Sequence, residues 1–378
     1  MRLGIGLMAA CIALSAQADG APAVTPSVER EAERLAAGEA ARWLASRIGD
    51  DGRFRYRSDS AGRGLSGYNS VRHAGSLWAL SAQAEADPES AATLRAPATR
   101  ASRYLEHCCL RPLPGRADRL ALWSSAEGDP LEAKLGAAGL ALAAWSDRRR
   151  RGEPAPTLDE LRALAAFIVD QQQPDGRFIA KYIVDAPDDR WQSLYYPGEA
   201  ALGLLALARL DGDPQWRAAA AKALLHLAAS RIASGDWPPD HWALIATAEL
   251  LRQPFERPAN LLRQVREIAE RLLATQTDDG SFEPLRRSAP TATRLEALLA
   301  ADAVLGADDP ALRLRLHAAI GRGSRFLLAI RRLDGAQRGA VPRAAADSAD
   351  PRAGELRIDD TQHALSVWLG VVGLQNDN

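Results

Sequence analysis

Six times along this 378-residue chain a glycine-punctuated turn leads into a helix rich in Ala, Gly and Leu. The turns fall at Gly52, Gly115, Gly176, Gly235, Gly280 and Gly335. A recurrence of roughly 45–63 residues marks a helical repeat array, in which each unit buries its apolar face only against its neighbours. Between the breaks made by Gly and Pro, twelve helical segments can be counted, and they alternate in character. Thr157–Gln173, Gln215–Ala233 and Pro258–Gln276 are amphipathic and rich in Arg and Glu, so each buries one stripe and shows a charged face to water. Lys134–Trp145, Ala200–Ala208, Trp242–Leu251 and Leu295–Leu305 are small or apolar all round, which is the pattern of a buried helix. Six pairs of an exposed and a buried helix predict an all-α (α/α)6 toroid spanning residues 27–378. An open α-solenoid uses similar pairs but seldom makes one partner this uniformly apolar.

Three turns share a formula: Asp50-Asp51-Gly52-Arg53-Phe54, Gln173-Pro174-Asp175-Gly176-Arg177-Phe178 and Gln276-Thr277-Asp278-Asp279-Gly280-Ser281-Phe282. Asp-Gly supplies a turn with positive φ, and the aromatic that follows can pack back onto the ring. Such turns on a six-pair helical frame resemble those of the α/α-toroid proteins. That superfamily includes six-hairpin glycosidases, toroidal polysaccharide lyases, sugar epimerases and terpenoid-cyclase-like proteins. The resemblance covers nearly the whole chain after its N-terminal segment. It implies a ligand site at the mouth where the inner helices begin.

Helix N-termini gathered at one mouth also present free N–H groups and positive potential. The side chains expected there are Tyr68, Asn69, Arg72 and His73; Tyr195, Tyr196 and Glu199; and Asp240, His241 and Trp242. Arg294 and Glu296 follow on the fifth inner helix, and Asp359, Asp360, Gln362 and His363 on the last. Glu199 and Asp240 are candidate acid and base for hydrolysis, each equally able to cap its helix. The alternative is removal of a proton next to a uronate carboxylate. Tyr195, Tyr196, His73 or His241 would then act as acid or base, with Arg72 and Arg294 neutralising the carboxylate. The alternative for Arg294 and Glu296 is an ion pair across the ring, and Trp242 is expected as a platform for the apolar face of a sugar. Asp359-Asp360-Thr361 resembles the acid motif of class II terpenoid cyclases, with Asp359 as proton donor. Arg357 replaces that motif's first Asp, and aromatic residues make up only 6% of the chain, few for a cavity that stabilises carbocations. The expected ligand is a carbohydrate, bound by an enzyme or by a non-catalytic recognition module.

Other classes find little support. There is no phosphate-binding Gly loop, no Gly-x-Ser-x-Gly elbow and no His-Glu-x-x-His spacing, so neither a cofactor nor a metal is expected. Basic and acidic residues, 47 and 48, are interspersed, which argues against nucleic acid. Arg148–Arg151 reads as a solvated charge run in a loop. Met1-Arg2, the apolar run Leu3–Leu14 and Ala16-Gln17-Ala18 fit a secretory signal peptide cleaved after Ala18, with a linker at 19–26. The product would be periplasmic or secreted. Lipoprotein attachment at Cys11 is a weaker alternative, because the apolar run continues past it. Cys108 and Cys109 are adjacent, a spacing that bridges only through a strained ring, and are expected as thiols.

Overall fold

A computed structural model describes residues 26–124, 131–184, 186–252 and 256–374. The expected signal peptide, Cys11 and all but the last residue of the linker lie outside them. Twelve α-helices occur among the described residues, and they alternate between two layers. The inner helices are α2 (Ser70–Ala86), α4 (Leu135–Arg150), α6 (Tyr196–Asp211), α8 (His241–Arg252), α10 (Ser288–Leu305) and α12 (Ile358–Leu374). The outer ones are α1 (Pro26–Ser46), α3 (Pro88–Cys109), α5 (Leu158–Asp170), α7 (Pro214–Ser234), α9 (Ala259–Thr275) and α11 (Pro310–Ile330). Each inner helix packs on the next, and α12 returns to pack on α2, so the inner ring is closed.

Local chemistry sets the helix ends. Asp213 caps α7 by accepting from the Gln215 N–H, Pro214 occupies the first turn, and Gly235 ends the helix in the left-handed region. Helix α5 opens on a capping box between Thr157 and Glu160 and buries Leu161, Leu164, Ala165 and Ile168 as one stripe. The inner helices are buried nearly all round, and small residues let them approach. A Cβ on Gly139 of α4 would overlap the Glu199 carbonyl of α6, and one on Gly203 would overlap the Gly139 carbonyl.

In each Asp-Gly turn the aspartate accepts the N–H two residues on, as Asp175 does from Arg177 at 3.0 Å. Gly52, Gly176 and Gly280 all have positive φ. A Cβ on Gly176 would lie 2.6 Å from the Lys222 carbonyl, so the turn is seated directly on α7. Phe54, Phe178 and Phe282 are buried behind these turns.

Several boundaries differ from the sequence reading. The buried helix expected from Lys134 begins at Leu135, and Glu132–Lys134 is strand β5. With β3 (Leu110–Leu113), β4 (Arg116–Ser124), β6 (Lys181–Ile183) and β7 (Ala186–Asp188) it forms an antiparallel sheet. Helix α10 begins at Ser288, so Arg294 and Glu296 lie well inside it rather than at its start. Arg148, Arg149 and Arg150 form the last turn of α4, not a solvated loop. Arg148 is buried, 2.9 Å from Glu153, and donates to the Pro154 carbonyl and the Thr99 hydroxyl. Cations at a helix C-terminus complement its dipole. Cys108 and Cys109, expected as thiols, are joined by a disulfide at the end of α3. No described helix is long and apolar enough to cross a membrane.

Candidate active site

The first turns of α2, α8, α10 and α12 meet at one mouth of the ring and enclose a cleft with two lobes. Arg72, Asp359, Ala289 and Pro290 line both. One lobe, of about 200 Å³, is completed by Tyr195, Pro239, His241, Thr293, Arg294 and His363. The other, of about 300 Å³, is completed by Arg287, Arg343, Arg352, Arg357 and Asp360. The larger lobe sits at the lower end of the roughly 300–1,000 Å³ usual for small-molecule sites, and the smaller one below it.

The smaller lobe holds two imidazoles. His241 and His363 face edge to face with ring centroids 5.2 Å apart, and Glu296 reaches both from α10. A Glu296 oxygen is 2.8 Å from His363 Nδ1 and 3.8 Å from His241 Nε2. A carboxylate accepts, so Nδ1 of His363 donates and its Nε2 is left for other partners. Neither ring nitrogen of His241 has a hydrogen-bond partner, although the residue is 1% exposed. Burial, and then the charges of His363 and Arg72, hold His241 well below the usual histidine range, so it is neutral at pH 7. Burial also pushes the Tyr195 phenol up, keeping it protonated. The three groups His241, Glu296 and His363 offer ligand atoms within 4.8 Å of one another, a spacing that a divalent cation could also bridge.

Arg72 and Asp359 join the lobes. Arg72 Nε lies 3.3 Å from Asp359, and Arg357 grips the same carboxylate at 2.7 and 3.2 Å while donating to the Tyr56 hydroxyl. Asp360 is fully buried with one oxygen unpartnered. Burial, reinforced by Asp359, pushes its carboxyl to about 8.

The remaining candidates stand behind the cleft. Asp240 caps α8 through the Ala243 N–H at 3.1 Å and is ion-paired with Arg231 at 2.5 Å; it lines neither lobe. Glu199 is 1% exposed and shut against α4, where a Cβ on Gly136 would overlap its carboxyl. Glu199 and Asp240, named as acid and base for hydrolysis, thus both stand outside the cleft lining, Asp240 as a helix cap paired with Arg231 and Glu199 enclosed against α4. His73 turns away from the mouth towards α3. Its Nε2 donates to the Ala101 carbonyl at 3.0 Å, Nδ1 accepts from the Tyr68 hydroxyl at 3.0 Å, and its ring stacks on Tyr104. Burial lowers His73 to about 3, so it is a neutral packing residue. Asn69 caps α2 through the N–H groups of Val71 and Arg72. Trp242 is no exposed platform: it is buried against Trp78 and His363. Tyr196 packs on Trp191, and Gln362 lies buried beside His363, both outside the lobes. Arg294 does not pair with Glu296; it donates to the Pro290 carbonyl and lies over Phe282.

Arg287, Arg343 and Arg352 escaped the sequence reading. They come from the approach to α10 and the long segment 331–357, which carries no helical period. Backbone bonds tie that segment in place: Ser288 N–H to the Arg343 carbonyl, and Arg343 N–H to the Glu355 carbonyl, both 2.9 Å. Strand β8 (Leu356–Arg357) pairs with β1 (Arg57–Ser58), which fixes Arg357 at the entrance to α12.

The same architecture occurs in solved structures of low sequence identity. A cellobiose 2-epimerase from Spirochaeta thermophila superposes with a TM-score of 0.67 at 17% identity, covering 94% of this chain and 100% of that one. A cellobiose 2-epimerase from Bacillus thermoamylovorans gives 0.68 at 12%, covering 93% and 100%. A family 76 glycoside hydrolase from a bovine Bacteroides thetaiotaomicron strain gives 0.64 at 12%, covering 91% and 78%. No protein-family model matches the sequence, and no curated protein matches it. The chain therefore has the α/α-toroid fold of these structures.

Proposed function

We propose that this protein is an exported carbohydrate-active enzyme that moves a proton at a sugar carbon next to a carbonyl group, the chemistry of an epimerase or isomerase. The observation that carries this is the pair His241 and His363, which line one lobe together with Glu296 packed behind them. Neutral His241 accepts the proton as the C–H bond breaks, and the electron pair moves into the carbonyl to give an enediolate. Arg72 and the Tyr195 hydroxyl stabilise the developing oxyanion. His363, entering the step protonated on both ring nitrogens, returns a proton from Nε2: delivery to the opposite face inverts the carbon, and delivery to the neighbouring carbon, with the adjacent hydroxyl proton passing to the former carbonyl oxygen, isomerises the sugar. Glu296 keeps His363 in the orientation this requires.

Several facts support the reading. Structures of the same fold include epimerases, an isomerase and glycosidases. Export rests on the N-terminal leader pattern. Hydrolysis would need two carboxylates flanking a bond, and the pair named for that task does not line the cleft.

The test is incubation with neutral aldoses and uronic acids, with products resolved as epimers, ketoses or shortened chains. Epimers or ketoses are expected. His241→Gln and His363→Gln should each lower the rate by about 10²–10⁴-fold, the usual worth of a general acid or base. A chelator should leave the rate unchanged. Shortened chains, or loss of activity on chelation, would replace proton transfer by hydrolysis or by a metal centre on the same three residues.

A further inference from the structure

The larger lobe has a composition that a neutral sugar does not call for. Five guanidinium groups line it: Arg72, Arg287, Arg343, Arg352 and Arg357. Four carboxylates stand against them. Glu283 holds Arg287, Asp350 holds Arg343 at 2.9 Å, Asp359 is shared between Arg72 and Arg357, and Asp360 lies beneath. Glu355 is matched separately by Arg57 at 3.8 Å. Even with every carboxylate ionised the lobe keeps a surplus cation, and a protonated Asp360 enlarges the surplus. The unmatched charge can be named: the Arg352 side chain has no hydrogen bond or ion pair among the described residues, although its charge acts on Asp350. Helix α10 adds to the field, since Ala289 and Pro290 of its first turn line the same wall.

We infer that the larger lobe is an anion subsite, and that the substrate is a sugar carrying a carboxylate or phosphate group. This rests on the proton-transfer reading for the position of the reacting carbon. Arg287, Arg343 and Arg357 are each held by an acidic partner, which pre-orients their remaining N–H groups. Arg352, unheld and at the rim, closes on the anion as it enters. Because Arg72 and Asp359 belong to both lobes, an anion seated here places the rest of the same molecule against His241 and His363.

The experiment compares binding of glucose, glucuronate, glucose 6-phosphate and inorganic phosphate to the full chain by calorimetry, at low and at high salt. Glucuronate or glucose 6-phosphate should bind at least about tenfold more tightly than glucose, with the advantage shrinking as salt screens the charges. Whichever is preferred tells carboxylate from phosphate. Arg352→Glu should weaken the anions about tenfold, and the loss should fall on them and not on glucose. Arg352 takes part in no structural pairing, so folding should be kept, and an unchanged melting temperature checks this. Equal affinity for glucose and the anions would overturn the subsite. So would failure of every anion to bind, inorganic phosphate at tens of millimolar included, or an Arg352→Glu variant with unaltered anion affinity. Anion binding without turnover removes proton transfer and leaves the subsite. Turnover of neutral sugars without anion preference does the reverse.

Discussion

His241 and Glu199 are both buried with polar atoms left unpartnered, and the cost of leaving such a group unmatched is about 1–3 kcal/mol. His241 lines the cleft, where the substrate of the proposed reaction would supply the missing partner. Glu199 has no such outlet, and burial pushes its carboxyl from 4.5 to about 8. Between those values the folded chain holds a proton that the unfolded chain has lost. Stability therefore falls as pH rises from 4.5 through about 8. Glu199→Gln, which keeps the shape and removes the ionisation, should be more stable than the wild type at pH 8 by about 4 kcal/mol, roughly 1.4 for each pH unit between the two values. Near pH 4.5 the two should converge. Parallel melting curves across that range would contradict the assignment. Asp240→Ala should act differently, stranding Arg231 in the interior at a cost of about 3–5 kcal/mol in denaturant melts. A stability unchanged by that substitution would remove Asp240 from its structural role. The cap at Asp240 was legible from Trp237-Pro238-Pro239-Asp240 standing before an apolar run. Its partner Arg231 was not, because an ion pair formed across a hairpin leaves no periodic mark.

Among elements, the inner helices were the most legible, since a helix apolar all round has only the interior to occupy. Their starts were less so. Helix α10 was placed too late because Pro290 reads as a break, whereas in the first turn of a helix proline lacks only an N–H that would have had no partner. That shift moves Glu296 inward, to where it meets His363 of α12. The histidine pair itself could not be foreseen as a pair, because His241 and His363 are brought together only by ring closure. Packing between α4 and α6 yields a prediction at this scale. Gly139→Ala would push the two helices apart at a backbone-to-backbone contact. A loss of about 1–3 kcal/mol, the usual cost of overpacking, is expected in urea titrations. An unaltered midpoint would show the contact to be looser than described.

At the scale of the whole molecule, closure distinguishes a toroid from a solenoid. Helix α1 packs against α2, α3, α11 and α12, and so joins the two ends of the chain. Trp43 donates to the Gln337 side chain at 3.0 Å, and Ser324 donates to Glu33 at 2.6 Å. A chain begun at residue 48 should therefore lose cooperative thermal unfolding altogether. An open array would shed one repeat and keep the rest folded. Six turns and alternating helix types made this architecture legible in outline. The arginine lobe was hidden for a whole-molecule reason: a net charge of −1 records no cluster whose members are scattered from Arg72 to Arg357.

Proton transfer between His241 and His363 is tested most directly by incubating the protein with a sugar acid in D₂O and following deuterium entry at the carbon next to the carbonyl by NMR. The geometry predicts exchange at that one carbon, with loss of the signal in His241→Gln and in His363→Gln. New reducing ends with no deuterium at carbon, at a rate indifferent to both substitutions, would contradict it.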